Sequence, residues 1–138
     1  MINRILITGS RTWRDTATIR DAITNVAHQH GPDLVIVHGA CRTGADRIAA
    51  DFAYEIGYLT DPHPADWETC APDCRPGHRR TRRDGSSYCP TAGHRRNQLM
   101  VDLGADHALV FMRGKSSGTA DCLRRIKRAG IEYTRWDA

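Results

Sequence analysis

The sequence predicts a doubly wound α/β domain, a mostly parallel sheet of about five strands interrupted by one inserted loop. Three observations carry this reading. Short, continuously apolar runs alternate with stretches of helical periodicity, the pattern of strands buried on both faces. The apolar runs at Leu6, Val37 and Phe111 each break into a turn that contains glycine. Residues 68–91 lose all periodicity and hold almost no aliphatic side chain, so they stand apart as an irregular insertion.

The elements follow in order. Arg4 to Thr8 is a buried strand ending in Gly9-Ser10. Ile19, Ala22, Ile23, Val26 and Ala27 recur at helical spacing, with Asp15 or Thr16 as N-cap and Gly31-Pro32 as the stop. Leu34 to Val37 is a second buried strand, and Ala45, Ile48, Ala49, Phe52 and Ile56 mark a second amphipathic helix stopped by Gly57. A weaker extended stretch runs from Tyr58 to His63. After the insertion, Leu99, Met100 and Leu103 restore a helical pattern, Ala108 to Met112 form a strand, and Cys122, Leu123 and Ile126 mark a last helix. A final strand is expected near Ile131 to Thr134. The whole is a Rossmann-like arrangement in a single domain, 1–138, with no internal repeat.

Composition narrows the function classes. The chain of 138 residues is 40% hydrophobic and 26% charged, which excludes wholesale disorder. No apolar run approaches the roughly 20 residues of a membrane span, and Met1 to Thr8 is too short for a secretory leader, so a cytoplasmic location is expected. Arg outnumbers Lys 18 to 2, and the net charge of +4 is uneven. Residues 75–96 hold seven Arg against Asp84 alone, while the rest of the chain is slightly acidic. The basic character therefore belongs to one segment, not to the whole surface.

In doubly wound sheets ligands bind beyond the carboxyl ends of the strands, where helix N-termini offer free N–H groups. Three turns here have suitable chemistry: Thr8 to Arg11, His38 to Asp46, and Gly114 to Asp121. Each combines glycine, a hydroxyl and a nearby cation (Arg11, Arg42 or Lys115), which suits a phosphate or ribose phosphate. The expected ligand residues are Gly9, Ser10, Arg11, Gly39, Arg42, Thr43, Gly44, Asp46, Trp67, Asn97, Gly118 and Thr119. Gly39 to Gly44 has the glycine spacing of a Walker loop, but Ala45-Asp46 replaces its Lys-Ser/Thr, and G-x-G-x-x-G is absent. Neither ATP hydrolysis nor ordinary NAD binding is supported. Any one turn taken alone is also a plain strand-to-helix connection.

Gly9-Ser10-Arg11 with Trp13, His38-Gly39 through Gly44-Ala45-Asp46, Pro64-Ala65-Asp66-Trp67, Gly93 with Arg96-Asn97 and Met100, and Gly118 to Asp121 occur in that order. Together they resemble the YspA/cpYpsA-related branch of the SLOG superfamily, over nearly the whole chain outside 68–91. The resemblance implies a Rossmann-like domain that binds nucleotides or nucleotide-derived ligands, and the leading expectation is a sensor or sequestering protein. The superfamily includes the Lonely guy phosphoribohydrolases, N-glycosidases of nucleoside monophosphates, and the DNA-processing protein A fold. His94 to Met100 is similar to the Lonely guy His-Glu-Arg-Lys-x-x-Met helix, with Arg96 on its arginine. The Pro-Gly-Gly-x-Gly-Thr-x-x-Glu motif is degraded: Cys122 stands where its glutamate stands. Asp121 lies one residue early, a rotation of about 100° on a helix. Arg96 and Asp121 are thus the candidate catalytic pair if the protein is an enzyme.

Cys70, Cys74, His78 and Cys89 cluster inside the insertion. In a cytosolic chain a disulfide is not expected, and three thiolates with an imidazole fit a closed, structural Zn²⁺ site. About two dozen residues with so little apolar surface need such a staple to become ordered. Free thiols in a loose loop are the plainer alternative, and His94 is an alternative fourth ligand. Cys41 and Cys122 are expected to be small buried residues. The run Arg79-Arg80-Thr81-Arg82-Arg83 reads as a solvated loop face, a lid over a polyphosphate, or a nucleic-acid contact. Trp67 either stacks on a base or packs as wall. A homo-oligomer is compatible with all of this, and no membrane partner is expected.

Overall fold

The computed structural model describes residues 3–138. Met1 and Ile2, the start of the stretch too short for a leader, lie outside the described residues. The chain runs β1 (Asn3–Gly9), α1 (Thr16–His30), β2 (Leu34–His38), α2 (Ala45–Ile56), β3 (Leu59–Pro62), β4 (Arg80–Thr81), β5 (Ser87–Tyr88), α3 (Ala92–Asp102), β6 (His107–Met112), α4 (Ser117–Ala129) and β7 (Tyr133–Asp137). Five strands form one sheet in the order β3-β2-β1-β6-β7, every neighbouring pair parallel. The expected doubly wound α/β fold is present. No helix is long and apolar enough to cross a membrane among the described residues.

Strand side chains alternate between two cores, as pleating requires. Ile5, Ile7, Ile36, Leu109 and Phe111 face α1 and α2, where they meet Ile19, Ile23, Ala49 and Phe52. Leu6, Val37, Ala108 and Val110 face α3 and α4, where they meet Met100, Val101, Cys122 and Ile126. Neither core includes a residue of 68–91. Asp15 caps α1 by accepting from the Thr18 N–H at 3.1 Å.

The chain order reverses between β1 and β6: β1, β2 and β3 step one way, β6 and β7 the other. Helices leave opposite faces of the sheet there, so a crevice opens beyond the ends of β1 and β6.

Three expectations change. The last strand lies at Tyr133–Asp137 instead of near Ile131 to Thr134. Ile131 is taken by the end of α4, its N–H donating to the Ile126 carbonyl, and Trp136 stacks on Phe111 with centroids 4.9 Å apart. The insertion is not wholly irregular, because β4 and β5 pair antiparallel, Arg80 opposite Tyr88. Cys41 is half-buried at the crevice and not a core residue, whereas Cys122 is fully buried as expected.

Candidate functional site: a basic cleft beside a thiol cluster

The crevice is a cleft of about 460 Å³. Gly9, Ser10 and Arg11 come to it from the end of β1, Gly39 from the turn after β2, and Asp46 from the first turn of α2. Arg96 and Asn97 on α3, Gly118 and Thr119 on α4, and Trp67 complete the expected residues that line it. Arg42, Thr43, Gly44 and Asp121 do not.

Three of the four exceptions share a cause in how the turn between β2 and α2 closes. The segment 39–44 folds back over the end of β1, where the Ala45 N–H donates to the Ser10 carbonyl at 3.2 Å and the Thr43 hydroxyl to the Arg11 carbonyl at 3.1 Å. Gly44 is pressed against the Ser10 and Arg11 backbone. Arg42 points away, to an open hollow beside Arg47 and Tyr54. Asp121 lies 5% exposed between helices, where Arg125 grips both its oxygens (2.9 and 3.2 Å) and the Asn97 amide donates at 3.1 Å. Burial would raise the Asp121 pKa, but Arg125 and Asn97 outweigh it and hold the carboxyl below its ordinary value. It is an ionised strut joining α3 to α4, not a group facing the cleft.

Several residues that do line the cleft are also braced. The Ser10 hydroxyl accepts from the Arg113 N–H at 2.8 Å and ties the ends of β1 and β6 together. Asp46 is buried at the start of α2 and accepts from the Gly39 and Cys41 N–H groups (3.1 and 3.4 Å), which sets the shape of the 38–41 turn. Arg96 donates to the Gly39 and His63 carbonyls and to Asn97 Oδ1, at 3.0 Å for the last. Its guanidinium occupies the space where a Gly39 side chain would be, so the glycine serves this close approach.

The electrostatics are one-sided. Arg11, Arg96, Arg113 and Lys115 line the cleft against a single carboxylate, Asp46, among the described residues. Arg113 and Met100 were not among the expected ligand residues; the only sequence signal for Arg113 is a cation directly after an apolar strand. At the far end, α4 begins with Ser116 in an extended conformation and no side-chain cap, its hydroxyl 2.7 Å from that of Thr119. The N–H groups of the first turn, Ser117 to Thr119, are thus left for an anion at the positive end of the helix. A side chain added at Gly118 would meet nothing within 4 Å.

Cys122, the residue aligned with the hydrolase glutamate, points into the α3/α4 core. Burial, only partly offset by a hydrogen bond with Thr8, pushes its thiol up to about 11. It takes no part in the cleft.

Beside the cleft, Cys70, Cys74, His78 and Cys89 bring one ligand atom each within 4.8 Å of one another. Cys70 Sγ lies 3.1 Å and Cys89 Sγ 3.4 Å from His78 Nε2, and the Cys74 and Cys89 sulfurs are 3.9 Å apart. Bonds of about 2.3 Å to a tetrahedral ion place sulfurs about 3.8 Å apart, so the donor set fits a metal ion. Burial raises the Cys89 pKa, but hydrogen bonds from the Thr91 hydroxyl and Arg95 more than offset it and bring the thiol down to about 5. That favours the thiolate a metal needs at Cys89, whereas burial and the hydrogen bond with Cys89 push the Cys70 thiol up. Arg95 also reaches Cys74 Sγ and donates to the Thr69 carbonyl at 2.7 Å. His94 lies outside this group and lines the cleft instead. The insertion arginines do not line the cleft either; Arg82 lies over the Tyr88 ring, 4.8 Å from its centroid.

A family model described as the YspA, cpYpsA-related SLOG family matches residues 3–69. The chain is 38% identical over 135 residues to the Gene 61 protein of Mycobacterium phage D29, covering 94% of this chain and 93% of the relative. Among solved structures, the C-terminal domain of a hydrogenase from Pyrococcus furiosus is similar at 14% identity and a TM-score of 0.46, over 97% of this chain and 91% of that one. The motifs at Gly9 to Arg11 and His38 to Asp46 fall inside the matched segment, and the likeness to the phage protein extends over nearly all the rest. The chain belongs to the YspA, cpYpsA-related SLOG family.

Proposed function

We propose that the cleft binds a nucleotide or nucleotide-derived ribose phosphate, and that the protein senses or sequesters this ligand. One observation carries the reading: the uncapped first turn of α4 opens into the cleft among Arg11, Arg113 and Lys115. Backbone N–H groups and guanidiniums together suit a phosphate, and Trp67 with Met100 supplies an apolar surface for the remainder of the ligand. The test is calorimetric titration with AMP, ADP and ADP-ribose on the wild type and on Gly118→Val. The variant's new side chain enters open space, so its melting temperature should stay within about 2 °C of wild type. Its affinity for whichever nucleotide binds should fall at least tenfold. Equal affinity in the two proteins would remove the phosphate from α4.

The protein is proposed to bind and not to cleave. Glycosidic hydrolysis passes through an oxocarbenium-like state that a carboxylate stabilises or supplies with activated water. Asp121 is held by Arg125 and Asn97, and Asp46 already accepts two backbone N–H groups. Without a free carboxylate the loss is about 3 kcal/mol, some hundredfold in rate. Base release from AMP is accordingly expected to be weak or absent. Robust release abolished by Asp46→Asn would make the protein an N-glycosidase.

The thiol cluster is proposed to hold one structural zinc ion, since four protein ligands close the tetrahedron and leave no position for water. Metal analysis of reduced protein should find one zinc per chain, falling below a tenth in Cys74→Ser/Cys89→Ser. Sub-stoichiometric metal in the wild type would count against it.

A further inference from the structure

The cleft and the thiol cluster share a wall. The Cys89 N–H donates to the Trp67 carbonyl at 2.7 Å, so one residue of the cluster holds the turn that carries the indole. Pro90, the next residue, lines the cleft. The Thr91 hydroxyl sits 3.4 Å from Cys89 Sγ and 3.7 Å from Cys74 Sγ, directly before the first turn of α3. That turn supplies Gly93, His94 and Arg96 to the cleft. The outer edge of the Trp67 ring abuts it, with Cη2 at 3.0 Å from where a Gly93 Cβ would stand. Arg95 closes the frame by bridging the sulfurs, the Thr91 hydroxyl and the Thr69 carbonyl.

Apolar burial within the insertion does not fix this side of the wall. Of residues 68–91 only Cys89 is buried, and no residue of the stretch belongs to either hydrophobic core. A segment without apolar burial cannot offset the entropy of its own ordering. The cluster does so at the one place where the segment meets the cleft.

We infer that the metal-loaded Cys70, Cys74, His78 and Cys89 cluster is the mount of the cleft wall, with Arg95 as a positioning residue, so that ligand binding is conditional on metal. The inference rests on the cleft being the ligand site. The opposite wall, made by β1, β6 and the start of α4, belongs to the sheet and persists without metal. An apo protein would keep its fold and its phosphate-facing N–H groups and lose the Trp67, Pro90 and His94 side of the pocket. A phosphate alone would then bind the two forms alike, and a whole nucleotide would not.

The experiment compares zinc-loaded, chelator-stripped and zinc-restored protein by hydrogen exchange and by titration with AMP and with inorganic phosphate. Stripping should raise exchange in residues 64–69 and 90–96 as well as in 70–89, and leave β1, β2 and α1 protected. AMP affinity should drop at least tenfold on stripping and return with zinc, while phosphate binding changes less than threefold. Arg95→Ala, loaded with zinc, should reproduce part of the AMP loss and the extra exchange at 67–69. Exchange that rises only within 70–89, or AMP affinity unchanged by stripping, would overturn the inference. If AMP binds neither form, the nucleotide reading fails by itself, and exchange at 64–69 and 90–96 still decides whether the cluster holds the wall.

Discussion

Cys122→Glu is expected to destabilise the protein by about 4 kcal/mol, and in practice to leave it largely unfolded or aggregated, instead of restoring a hydrolase. The side chain at this position has no exposure and packs among Leu6, Val110, Leu123 and Ile126. A glutamate there must either bury a carboxylate without a partner or stay protonated at neutral pH, and it overfills a space shaped for a thiol. The same low-polarity surroundings already push the thiol up to about 11. Urea unfolding of Cys122→Glu beside Cys122→Ala checks this: the alanine variant should lose only about 1 kcal/mol, since it removes one sulfur. A glutamate variant as stable as the wild type would mean that the helix can turn this position to the cleft, and the proposed absence of glycosidase chemistry would then need re-testing with it.

How far the sequence is legible depends on what kind of constraint acted on each residue. The apolar strands and amphipathic helices are readable because burial imposes a period, and Ile5, Leu6 and Ile7 alternate between two cores as that period requires. The metal-type cluster is readable because its chemistry demands particular residue types, even though the backbone of residues 68–91 is not predictable from pattern. The β4/β5 hairpin is too short and too polar to leave a period, so it reads as loop. In the cleft, residue type and position in a turn find the place but not the direction of each side chain. Arg42 and Asp121 have the chemistry of ligand residues, yet turn closure sends one to the outside and an ion pair within α4 claims the other. Arg96 was expected at the ligand and lines the cleft, but its donors are already spent in part on the Gly39 and His63 carbonyls. No sequence pattern encodes such a clamp, because both acceptors are backbone.

Gly44→Ala is expected to cost about 3 kcal/mol or more, a fall in melting temperature on the order of 10 °C, with Gly118→Ala as its counterpart costing almost nothing. Both glycines read from sequence as phosphate-loop residues, and the structure separates them. Gly44 has φ 79°, where a Cβ alone costs about 1–2 kcal/mol. Its Cβ would also drive into the carbonyl of Ser10 and the backbone of Arg11. Neither neighbour can retreat, because Ser10 is tied to β6 through the Arg113 N–H and its carbonyl accepts from Ala45, the first residue of α2. The strain therefore spreads to the junction of β1, β6 and α2, under the floor of the cleft. Gly118 has no such φ and faces open space. Replacing glycine by alanine inside the first turn of α4 would even favour the helix by a few tenths of a kcal/mol. Thermal melts of the two variants, with AMP titrations alongside, distinguish the roles. Gly44→Ala should lose stability first and ligand affinity only as a consequence, and Gly118→Ala should lose affinity without stability. If Gly44→Ala melts like the wild type but no longer binds nucleotide, its glycine serves the ligand directly and the packing account of this turn is wrong.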